Sequence, residues 1–97
     1  KLVPVEEILY FKAELKYVTV KTCEHEFLLE ESLVKLENEF GDRFLRIHRN
    51  CLVARDKIDQ IGKTHGSEEG HYVRLRGLGE LLPVSRRQYS LIRGQLR

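Results

Sequence analysis

"FLRIHRNCLVARDKI", residues 44–58, decides how this chain is read. Phe44, Leu45, Ile47, Leu52, Val53 and Ile58 thread through it at strand-like spacing. A strand sends alternate side chains to opposite faces, so the apolar residues need only a core to pack against. The charges need more. Arg43, Arg46, Arg49, Arg55 and Lys57 stand against one carboxylate, Asp56, with His48 among them. Cations crowded onto a short, core-pinned stretch point to an anionic partner.

The charge pattern widens on either side. Residues 24–42 carry Glu24, Glu26, Glu30, Glu31, Glu37, Glu39 and Asp42 against Lys35 alone, whereas residues 81–97 carry Arg86, Arg87, Arg93 and Arg97 with no carboxylate. The net charge of +2 over 97 residues conceals this division. A chain split in this way is suited to one-sided contact with a polyanion.

With 41% apolar composition the chain can build one core and no more. A single domain over residues 1–97 is expected. The chain starts at Lys1 and lacks methionine, as a domain cut from a longer protein would. No apolar run approaches the roughly 20 residues of a membrane span, and no signal-peptide pattern occurs. Cys23 and Cys51 are too few for a disulfide scaffold, which favours a reducing cytoplasm. Cys23-x-His25, His48-x-x-Cys51 and His65-x5-His71 offer two ligands each, at spacings unlike those of structural zinc sites. No metal or other cofactor is expected.

The elements follow from periodicity. Ile8–Ala13 and Leu15–Thr22 read as strands with a short link near Glu14 and Lys16, the second placing Tyr17, Thr19 and Lys21 opposite Val18 and Val20. His25–Leu29 reads as a third strand. Leu29, Leu33, Leu36 and Phe40 then share a helical face, which predicts a helix over 32–39 with Ser32 as N-cap and Gly41 at its end. Strands follow at Phe44–Ile47 and Leu52–Ala54, with a loop between them. Ile58–Ile61 and Tyr72–Leu75 read as a hairpin with its tip around Thr64–Ser67, and Gly77-Leu78-Gly79 turns the chain into a strand at Leu81–Val84.

Ser85-x-x-Gln88 is a capping-box pattern that opens a C-terminal helix bearing Tyr89, Ile92 and Leu96. Arg86 and Arg87 fall in its first turn, where cations oppose the helix dipole by about 0.3–1 kcal/mol each. A bound phosphate would relieve that conflict, and arginines extended into water would also tolerate it. The fold class is mainly β, with one internal helix and one short C-terminal helix.

Catalysis finds no support. Glu6-Glu7 and Glu30-Glu31 are sequence neighbours, which point to opposite faces of a strand, and acid/base pairs must share one. No nucleophile elbow, phosphate loop or dinucleotide fingerprint occurs. Ser85 serves better as a cap than as a nucleophile. Two non-enzymatic readings are an RNA-binding module and a protein-interaction domain. The first would stack bases on sheet aromatics, for which only Tyr17, Tyr72 and Tyr89 are not assigned to the core; the second would use the acidic residues 24–42.

"VPVEEILYFKAELKYVTVKT" (3–22), "FLRIHRNCLVARDKI" (44–58) and "LLPVSRRQYSLI" (81–92) resemble, in order, the blocks of the LytTR DNA-binding domain found at the C-terminus of bacterial response regulators. The resemblance implies about ten short antiparallel strands in small sheets, and loops rather than a recognition helix entering successive major grooves of double-stranded DNA. It implies a preceding receiver domain and a homodimer on imperfect direct repeats. Carried over by position, the contacts come from Lys16 and Tyr17, from Arg49 and Asn50, and from Arg86 with Arg87 beside it.

Guanidinium geometry then favours Arg49 and Arg86 at base edges, with Asn50 as a third candidate that also suits a turn. Lys16, Arg46, Arg55, Lys57 and Arg87 suit phosphates, where a charge suffices. Tyr17 offers a hydroxyl to phosphate or a half-buried strand ring. His48 reads as a hydrogen-bonded structural histidine or a backbone contact. Asn50-Cys51 replaces a commoner serine-aromatic pair, and Ala54-Arg55 stands where the family often has asparagine.

Overall fold

Two tetrapeptides, Ile8-Leu9-Tyr10-Phe11 and Cys51-Leu52-Val53-Ala54, lack any polar alternation, and all eight residues are buried. Strands that read this way are covered on both faces, and their pairing forms the middle of the molecule. The computed structural model describes residues 3–64 and 70–95. In chain order these form β1 (Ile8–Ala13), β2 (Val18–Thr22), β3 (Glu26–Leu29), α1 (Leu33–Phe40), β4 (Phe44–His48), β5 (Cys51–Ala54), β6 (Ile58–Thr64), β7 (Gly70–Leu75), β8 (Leu81–Val84) and α2 (Arg86–Gln95). One antiparallel sheet has the order β3-β2-β1-β5-β4, and a second the order β6-β7-β8.

The five-stranded sheet separates two cores. On one face Ile8, Phe11, Val18, Val20, Phe44, Leu52 and Ala54 pack against Leu33 and Leu36 of α1. On the other Leu9, Tyr10, Leu45, Ile47, Cys51 and Val53 meet Val73 and Leu75 of β7, Leu82 and Val84 of β8, and Ile92 of α2. Phe11, Phe40 and Phe44 cluster with centroids 5.0–5.7 Å apart, which locks α1 to its face.

Register breaks decide some of these assignments. The β1–β2 pairing shifts between Ile8 and Tyr10, so Leu9 and Tyr10 enter the same core instead of alternating. The β4–β5 pairing shifts between Arg46 and His48. Arg46 therefore lies opposite Leu52 on the α1 side, whereas His48 lies opposite Cys51 on the other.

The expected helices form with the expected caps. The Ser32 hydroxyl accepts from the Lys35 N–H at 3.1 Å, and Gly41 ends α1 at φ 56, where a glycine costs least. Ser85 Oγ accepts from the Gln88 N–H at 3.2 Å. The expected mainly β fold of short antiparallel strands in small sheets is present, with two sheets and eight strands among the described residues where about ten strands were expected.

Two local expectations shift. The second strand begins at Val18, because Glu14–Tyr17 form a turn closed by the Glu14 N–H on the Tyr17 carbonyl at 2.7 Å. Thr19 is buried, its hydroxyl donating to Glu14 Oε2 at 3.2 Å. The hairpin tip expected around Thr64–Ser67 lies mainly outside the described residues. Among the described residues no helix is long and apolar enough to cross a membrane.

Leu52 is completely enclosed, whereas Leu15 is fully exposed. Leu52→Ala is expected to lower the unfolding free energy by about 2–5 kcal/mol, and Leu15→Ala to change it by no more than about 0.5 kcal/mol. Urea denaturation of both variants measures the contrast.

Candidate nucleic-acid interface

Three turns meet at one end of the five-stranded sheet. The turn between β1 and β2 carries Lys16 and Tyr17, the two-residue turn between β4 and β5 is Arg49-Asn50, and the first turn of α2 carries Arg86 and Arg87. Two backbone hydrogen bonds hold these segments to each other. The Ala13 N–H donates to the Asn50 carbonyl at 2.7 Å, joining the end of β1 to the β4–β5 turn. The Ser85 N–H donates to the Ile47 carbonyl at 2.9 Å, joining the start of α2 to the end of β4. Lys16, Tyr17, Arg49, Arg86 and Arg87 are all exposed there, and Asn50 is half-buried.

The remaining expected contacts are arranged differently. Arg46 turns inward: its Nη2 lies 2.8 Å from Glu37 Oε1 on α1, its Nη1 donates to the Arg49 carbonyl at 2.6 Å, and only 17% of its side chain is exposed. Its Nε is buried without a hydrogen-bond partner. His48 is half-buried, with its Nδ1 likewise unpartnered among the described residues.

Arg55 and Lys57 leave β5 at its opposite end, roughly 13 Å from the Arg49-Asn50 turn at about 3.3 Å per residue. Arg55 Nε donates to the Asp42 carbonyl at 2.8 Å and Lys57 Nζ to the Glu6 carbonyl at 2.6 Å. Arg43 pairs with the Glu6 carboxylate at 3.3 Å. A backbone hydrogen bond, and after it Arg43, holds the Glu6 carboxyl below its ordinary range. The basic stretch 43–57 is thus cut in two by the strand it contains. Glu37 had no sequence signal as a site residue: nine positions and a helix end separate it from Arg46.

Comparison with known proteins fits this arrangement. Residues 1–97 match the family model for the LytTr DNA-binding domain. This chain belongs to the LytTR family.

The LytTR domain is 47% identical over 95 residues to the positive alginate biosynthesis regulatory protein of Pseudomonas aeruginosa, covering 96% of this chain and 37% of that protein. It is 31% identical over 86 residues to the sensory transduction protein LytT of Bacillus subtilis, covering 88% of this chain and 34% of that one. The CO-responsive transcriptional regulator RcoM of Rhodospirillum rubrum is 31% identical over 90 residues, covering 92% and 37%. The chain therefore spans little more than a third of the length of these relatives. Among solved structures, the LytTr DNA-binding domain of a methyl-accepting/DNA response regulator from Bacillus cereus superposes with a TM-score of 0.83 at 28% identity, over 97% of this chain and 84% of that one.

The tyrosines of this LytTR domain bear on which nucleic acid it suits. Tyr89 is stacked on His71, with centroids 3.8 Å apart, and Arg93 lies 5.9 Å from its centroid. The Tyr72 ring packs over Gly62, where an added Cβ would fall 2.9 Å from the tyrosine hydroxyl. Tyr17, 41% exposed, stands at the β1–β2 turn, and Tyr89 lies half-buried in the opening turn of α2. A sheet surface for stacking single-stranded bases is not assembled from these residues.

Cys51 lies directly behind the Arg49-Asn50 turn but inside the core. Burial pushes its thiol from an ordinary 9.0 up to about 12, against a weaker opposite pull from Lys12 and Arg46. The neutral thiol therefore contributes stability that is complete below pH 9 and lost as pH rises toward 12. Cys23 is exposed. At pH 8 an aromatic disulfide reagent is expected to titrate one thiol in the native chain and two in urea; rapid loss of both thiols in the native state would show that Cys51 is accessible.

Proposed function

We propose that this domain binds double-stranded DNA sequence-specifically through the three turns at one end of its five-stranded sheet, as the non-catalytic output domain of a cytoplasmic two-component transcription regulator. The observation that carries the reading is the pair of backbone hydrogen bonds, Ala13 to Asn50 and Ser85 to Ile47, which brings Lys16, Tyr17, Arg49, Arg86 and Arg87 to one end.

Arg49 and Arg86 read base edges, because a guanidinium can bond guanine O6 and N7 together and discriminate by about 1–3 kcal/mol. Lys16 and Arg87 hold phosphates, and Tyr17 sets its ring or hydroxyl against the sugar-phosphate backbone. A phosphate near Arg86 and Arg87 also meets the N-terminus of α2, the end of a helix that favours anions. Asn50 supports the turn mainly through its carbonyl, and His48 borders the contact. Arg55 and Lys57 are left out of it, since both are engaged at the other end of β5.

The 47% identity to the alginate regulator supports control of alginate synthesis genes; motility and virulence genes are a further part of the proposal. Two copies on imperfect direct repeats, following a receiver domain, complete the proposal.

Selection from a randomised duplex library, followed by titration of the winner against scrambled duplex at two salt concentrations, tests it. A preferred site should emerge, with log affinity falling by about 0.9 per phosphate neutralised for each unit of log salt. Arg49→Ala and Arg86→Ala should each weaken that site by about 5- to 150-fold, with a much smaller loss on random duplex. Arg55→Ala and Lys57→Ala should stay within about twofold on both, because far-end cations act only through a screened field. No preferred site at any salt would defeat the reading.

A further inference from the structure

Arg46, one of the five residues that suited phosphate in the sequence, has its charge engaged by Glu37 beneath the Arg49-Asn50 turn. We propose that Arg46 is a positioning residue for Arg49: anchored to α1 by Glu37, it grips the Arg49 carbonyl and sets the backbone from which Arg49 reaches a base. The inference rests on the proposed base contact of Arg49.

The geometry is specific to a guanidinium. One terminal nitrogen meets Glu37 Oε1 at 2.8 Å while the other meets the Arg49 carbonyl at 2.6 Å. A lysine carries the same charge on one compact centre and cannot span two acceptors in this way. The β4–β5 register break makes the arrangement possible, because it leaves Arg46 on the α1 side of the sheet while the following residues turn to the other core. Glu37 lies on α1, whose face is fixed by Leu33 and Leu36.

Three carbonyls of this short segment are thereby pinned from three directions: Ile47 by the start of α2, Arg49 by Arg46, and Asn50 by the end of β1. The Arg49 side chain itself stays exposed. A free side chain on an immobilised backbone loses less conformational freedom on binding, and specificity gains most from such preorganisation. The Arg46 side chain is mostly enclosed, so a phosphate would have to displace an existing partner to reach it.

The test uses the full-length protein, with affinities for the selected duplex and a scrambled duplex, the salt slope, and thermal melting. Glu37→Gln and Arg46→Lys should each weaken the selected site by about tenfold, the scale of a lost charge-assisted hydrogen bond, with scrambled-duplex affinity and salt slope unchanged. In an Arg49→Ala background neither should cost anything further, the signature of a coupled pair in a double-mutant cycle.

Exchanging the two charges, Glu37→Arg with Arg46→Glu, should recover melting temperature without recovering site affinity, because a carboxylate cannot donate to the Arg49 carbonyl. Recovery of affinity by the exchange would overturn the proposal in favour of a structural ion pair. A parallel loss on scrambled duplex in Arg46→Ala, with the salt slope reduced by about 0.9, would overturn it in favour of a phosphate contact. If Arg49→Ala keeps full site preference, the base-contact reading fails first and takes this inference with it. Loss in Arg49→Ala alone, with Glu37→Gln and Arg46→Lys unaffected, would overturn the positioning role and leave the base contact standing.

Discussion

The pairing of β1 with β5, enclosed on both faces, is the constraint on which the rest depends. Leu52 and Val53 are wholly buried on opposite sides of the same strand, one against the α1 side and the other against β7, β8 and α2. Apolar surface removed from water on both faces leaves no register in which β5 can slip without exposing one core. That fixed strand holds the Arg49-Asn50 turn at one end and the Arg55–Lys57 turn at the other. The position of every cation in the central basic stretch follows from it.

Electrostatics then separates the two ends. At the far end Arg43, Arg55 and Lys57 find acceptors on residues 6 and 42, pairs that at an exposed surface contribute little to stability but do occupy the charges. At the near end Lys16, Arg49, Arg86 and Arg87 extend from turns whose backbones are tied down. A rigid frame with exposed cations suits a polyanion of fixed spacing such as a duplex. The acidic helix α1 contributes from behind, through the single carboxylate of Glu37 that reaches Arg46.

Features whose causes are local were legible in the chain. The caps at Ser32 and Ser85 and the glycine after Phe40 were readable because each depends on neighbours within four residues. The β1 and β5 segments were readable from their unbroken apolar composition. The start of β2 was not, because Leu15 is apolar yet belongs to a turn and lies wholly in solvent. The breaks at Leu9 and Ile47 escaped too, since an extra residue in one strand is defined only by the residue it fails to face on its partner.

The sequence by itself determined the element types, the apolar segments that form the central strands, the division of charge and the family, since all of these reside in residue order and spacing. Only the tertiary structure decided which cations share an end and which are consumed internally. Arg46, Arg49 and Arg55 look equivalent along the chain, but Arg46 donates to Glu37 and to the Arg49 carbonyl, Arg55 donates to the Asp42 carbonyl, and the Arg49 side chain stays exposed. Those partners are set by the folded path of the backbone, which brings residues 13, 37 and 85 beside the 46–50 segment at a distance no sequence pattern encodes.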